Sequence, residues 1–124
     1  MAADLAQVLA DHQHWATGAG AGEHAAVAVL LHAVVHGHLQ DAAPAFVAAV
    51  DQDGDLDWDV LRNGEWPFSR RLLVDGAASL YRGGVDEHLT VNLGDLAFVD
   101  EADYNLLIAM LQAARTKRIP AGYR

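Results

Sequence analysis

Residues 23–39 read EHAAVAVLLHAVVHGHL, a run that is apolar almost all the way round when it is wound as a helix. Its length favours a helix over a strand, Glu23 stands at the end where the helix dipole prefers an acid, and Gly37 lies near the stop. A helix that is hydrophobic on every side has to be buried, so the rest of the chain must enclose it. With 124 residues and no cysteine, one domain over residues 1–124 with a single hydrophobic core is the expected outcome.

The enclosing elements are also expected to be helical. Asp4 is placed as an N-cap with Gln7 three residues on, and Leu5, Val8, Leu9, His12 and Trp15 then share one stripe up to Thr17. TGAGAG, residues 17–22, reads as a flexible glycine-rich turn. Asp41 can cap a short helix with Pro44 in its first turn, and a brief element carries Trp58 and Leu61 before the Asn63-Gly64 turn. From Pro67 onward, Phe68, Leu72, Leu73, Ala77, Leu80 and Tyr81 line one helical face. Leu89, Val91 and Leu93 alternate, which fits one short strand or an extended connector over residues 88–93. The last helix has Asp100 as N-cap, Glu101 and Asp103 in its first turn, and Tyr104, Leu107, Ile108 and Leu111 at helical spacing. Arg115, Lys117 and Arg118 sit at its negative end, and residues 119–124 form a tail. The fold class expected is mainly α, a compact bundle of four to five helices around a buried apolar helix.

Charge divides the chain. Residues 1–61 hold nine of the seventeen carboxylates and no lysine or arginine, whereas the remainder holds eight acids and eight bases, so the net charge of -9 belongs to the first half. Such a surface disfavours DNA, RNA and anionic lipid, which need basic patches. It is compatible with a cationic partner, a divalent cation, or mimicry of nucleic acid. The first residues show neither a basic leader nor a long apolar stretch, no segment reaches the ~20 apolar residues of a membrane span, and cysteine is absent. The expected address is cytoplasmic, with no membrane contact.

Two constellations have ligand chemistry. His32 and His36 stand four apart, so both imidazoles face one side of the helix, a spacing that zinc or nickel uses; H-E-x-x-H is absent because Ala33 follows His32. Asp51, Asp53, Asp55, Asp57 and Asp59 alternate in DQDGDLDWD, and a divalent cation would relieve their repulsion. An EF-hand is excluded by register, since glycine falls at the fourth position and Arg62 at the twelfth. Turn formation and capping explain the same acids. No cofactor is expected otherwise. Neither Ser69 nor Ser79 lies in G-x-S-x-G, and no glycine-rich phosphate loop is present, so catalysis has no motif. Among the six histidines of this half, exposed ones are expected to bind protons readily beside nine carboxylates while buried neutral ones such as His32 act in the opposite sense; with the exposed group dominant, stability would fall from about pH 6 to 8.

Trp58, Trp66 and Phe68 cluster beside Arg70 and Arg71, residue types enriched at binding hot spots, although small helical cores need large aromatics too. The runs HGHLQDAAPAFVAAV, D-G-D-x-D-W, WPFSRRLLVDGAASLYRGG and VNLGDLAFVDEADYNLLIAMLQAAR together resemble small proteins of high-GC actinobacteria and their phages, over roughly residues 30–115. That resemblance implies no activity, cofactor or site residue. The expected function is that of a non-enzymatic acidic accessory protein acting by protein-protein interaction or self-association. Its expected homodimer would cover the side of the second helix that a short chain leaves bare, together with Leu89, Val91 and Leu93.

Overall fold

The structure is a computed structural model that describes residues 4–18, 21–81 and 93–124. It is mainly α. Four long helices, α1 (Leu5–Trp15), α2 (Ala21–His36), α5 (Phe68–Tyr81) and α6 (Glu101–Thr116), are joined by the short α3 (Ala43–Ala48) and α4 (Trp58–Arg62). No helix among the described residues is long and apolar enough to cross a membrane.

Helix α2 is the centre. Residues 25–31 are each 0% exposed, and α6, α1 and α5 pack round them. α1 returns along α2 as an antiparallel neighbour, with His12 against His24. α6 also runs antiparallel to α2: His38, just after α2, meets Asp103 in the first turn of α6, while Gly22 at the start of α2 faces Ala114 near α6's end. At Gly22 a Cβ would lie 2.5 Å from the Ala114 carbonyl oxygen, so only glycine permits this approach. Gly22 therefore belongs to a helix contact, not to the flexible turn expected for residues 17–22. The bare side of α2 on which a dimer was expected is likewise not present, because one chain encloses the helix.

Capping explains where the elements begin. The Asp4 carboxylate accepts the Ala6 N–H, and Asp57 accepts those of Asp59 and Val60. Asp41 does not cap α3, which follows a 3₁₀ turn (Gln40–Ala42) with Pro44 in its opening turn. Ser69 lies inside α5, where its Oγ accepts the Asp100 N–H at 3.1 Å and fixes the entry to α6. The strand or connector expected over residues 88–93 lies outside the described residues except for Leu93, which opens a 3₁₀ helix (Leu93–Phe98). Residues 119–124 are no loose tail: Ile119 and Tyr123 pack on the core, and Tyr123 sits 5.8 Å from the His32 ring.

Candidate functional site

The acidic segment 51–59 is a closed turn. Val50 and Leu56 form an antiparallel bridge, the Asp51 carboxylate accepts the N–H groups of Asp53 and Asp55, and Gly54 supplies the left-handed residue at φ 82°. With Asp57 capping α4, two of the five carboxylates, Asp51 and Asp57, are engaged in local structure. Asp55 points elsewhere. Its Oδ1 accepts the Leu56 N–H at 2.7 Å and the Nε2–H of His12 at 2.8 Å.

His12 is 1% exposed and uses both ring nitrogens. With Nε2–H given to Asp55, its Nδ1 accepts the Nδ1–H of the half-buried His24 at 3.1 Å. The chain Asp55–His12–His24 fixes both tautomers and directs the remaining lone pair to His24 Nε2. Tyr81 packs edge-on against both rings, and Trp15 meets His12 edge-on and His24 at a tilt. Burial, then the neighbouring His12, lowers the pKa of His24 although Glu23 and Asp55 pull it upward. Burial pushes the Asp55 carboxyl up, but the His12 and Leu56 hydrogen bonds and the two histidines outweigh it and hold it low.

The other pair is simpler. His32 and His36 rings lie 5.1 Å apart on α2, and burial followed by His36 lowers the pKa of His32. The acids Asp51, Asp53 and Asp57 belong to the turn over residues 51–59. Among the described residues, no three histidine or carboxylate side chains are arranged to hold a metal ion. The lowering of His32 by burial is the direction expected for a buried neutral imidazole, and at His24 desolvation likewise outweighs the neighbouring acids.

The aromatic and arginine group is dispersed in role. Trp58 is 5% exposed and belongs to the core. Trp66 donates Nε1–H to the Leu61 carbonyl and packs on Phe46. Arg71 donates to the Arg62 and Gly64 carbonyls, and Arg70 makes a two-pronged pair with Asp41. Phe68 stays on the surface at 49%, and Phe98 is exposed at 78%.

The surface feature that sequence reading missed is on α6. Leu106, Leu107, Ala109, Met110 and Ala113 face the core, so of the four residues noted at helical spacing Leu107 is buried while Tyr104, Ile108 and Leu111 lie toward the outside. Tyr104 is 41% and Leu111 43% exposed, with Ile108 partly exposed between them. Glu101 precedes this stripe and Arg115 follows it, both exposed. The spacing from 101 through 104, 108 and 111 to 115 alternates three and four, the seam of a coiled coil. Two interleaved apolar stripes on one helix were the available signal. Comparison with protein-family models, with curated proteins and with solved structures finds no match to this chain.

Proposed function

We propose that this protein is a non-enzymatic accessory protein that acts by self-association, as a twofold dimer in which α6 of one copy lies antiparallel on α6 of the other. The observation that carries the reading is the exposed seam Glu101, Tyr104, Ile108, Leu111, Arg115. It is self-complementary under a twofold axis near Ile108. Tyr104 then falls against Leu111 of the second copy, the two Ile108 side chains meet, and Glu101 at the acidic start approaches Arg115 at the basic end. At 1.5 Å per residue the contact is roughly 20 Å long, a small interface of the weak, concentration-dependent kind. Repulsion between the acidic halves opposes it, but charges outside the contact are screened over ~8 Å at physiological salt. The absence of cysteine supports a reducing, cytoplasmic setting for such a dimer.

Light scattering across ~5 to 300 μM tests this reading. The expected mass rises toward twice the 13.3 kDa of one chain. Ile108→Glu should hold it at one chain, and Glu101→Arg should weaken association while Glu101→Arg with Arg115→Glu restores it. A constant single-chain mass overturns self-association. A dimer indifferent to all three changes places the contact on another face.

A further inference from the structure

Where α1 ends and α2 begins, the chain after α6 crosses over them and leaves a cleft of about 560 Å³. Ala16, Ala21 and Ile119 supply apolar wall, and Lys117, Arg118 and Arg124 stand round it. Among the described residues, no aspartate or glutamate lines it. In a chain with seventeen acids and eight bases, that sorting is informative. Elsewhere, Arg62 and Arg70 pair with Asp75 and Asp41, whereas among the described residues no acid pairs with Lys117 or Arg118. Arg124 donates Nε–H to the Ile119 carbonyl, so the uncommitted positive character rests on Lys117 and Arg118.

The backbone adds a second observation. Lys117 caps α6 in the left-handed conformation at φ 59°, where glycine is the usual residue because a Cβ costs about 1 kcal/mol. The dipole of α6 accounts for a base in its last turn. It does not require a lysine at the strained cap, nor the convergence of three bases on one cleft.

We propose that this cleft binds a small amphipathic anion, most simply a medium-chain carboxylate, with its apolar body against Ala16, Ala21 and Ile119 and its carboxylate between Lys117 and Arg118. The volume is that of small-ligand sites, which are apolar with a few placed charges. The proposal is independent of dimer formation.

The test uses amide chemical-shift titration with three probes: octanoate, octan-1-ol and acetate. Octanoate should bind with Kd on the order of millimolar or tighter and shift the amides of Ala16, Ala21, Lys117 and Arg118. Octan-1-ol and acetate should each bind at least tenfold more weakly, since each lacks one half of the recognition. Lys117→Gln with Arg118→Gln, both exposed and outside the core, should weaken octanoate at least tenfold. Ile108→Glu should leave octanoate binding unchanged, which separates this cleft from the dimer seam. Equal binding of octanoate and octan-1-ol, shifts that map elsewhere, or a charge-deleted variant that binds octanoate as well as the parent would overturn the proposal.

Discussion

The two histidine pairs place their rings at nearly the same separation, 5.2 Å for His12 with His24 and 5.1 Å for His32 with His36, yet they are built differently. His32 and His36 neighbour each other because one helix repeats, and no carboxylate joins them into a hydrogen-bonded chain among the described residues. His12 and His24 come from two helices, and a third segment delivers Asp55 to the buried ring. The first arrangement is visible as a spacing; the second exists only after α1, α2 and the acidic turn have packed. What differs is cost of removal. A pair along one helix can lose a member locally, whereas the buried chain shares its hydrogen bonds among three parts of the molecule.

The largest effect should come from His12→Ala, which opens a cavity and strands Asp55 and His24 together. A loss of about 3 kcal/mol in urea unfolding is expected, against less than about 1 kcal/mol for His32→Ala. Equal losses would erase the distinction. Asp55→Ala comes next, at roughly 1 to 3 kcal/mol, because it leaves the buried His12 Nε2–H without an acceptor. Here Asp55→Asn should recover part of the loss, since the amide oxygen can still accept.

A smaller effect concerns acid. The folded pKa values of His24 and His32 lie below the unfolded 6.5, so their contribution is present above about pH 6.5 and is lost as pH falls through the folded values. Melting temperature should therefore rise modestly from pH 5 to pH 7, with His24→Gln and His32→Gln each flattening part of that rise. A steady fall over the interval would show that raised, exposed histidines govern stability instead. The smallest effect is expected from cations: calcium and magnesium at millimolar levels should shift melting slightly and equally, because Asp51, Asp55 and Asp57 are already hydrogen-bonded. A calcium-only rise would restore the acidic turn as a cation site.

The fold was legible where local patterns and tertiary packing agree. The all-round apolar run announced α2, and Asp4 announced α1 through capping. It was illegible where one pattern served two masters. On α6 the periodicity of Tyr104, Ile108 and Leu111 is as helical as that of Leu106, Leu107 and Met110, and only the position of α2 decides which set is enclosed. Gly22 looked like a linker residue because composition cannot announce a close backbone approach to Ala114. The seven-residue spacing of the outer stripe was readable in principle, but its exposure was not. Neither was the Asp55–His12–His24 chain, whose members are joined by packing alone.

The antiparallel pairing of α2 with α6 also sets a timetable for synthesis. A ribosome adds about 5 to 20 residues per second, so α2 waits roughly 4 to 16 s after its own emergence before all of α6 has been made. During that interval α1 can dock, but the face of α2 that α6 will cover is open to whatever apolar surface the cell presents. Exposed apolar surface of this kind is aggregation-prone during synthesis, and slow codons between α2 and α6 would lengthen the exposure.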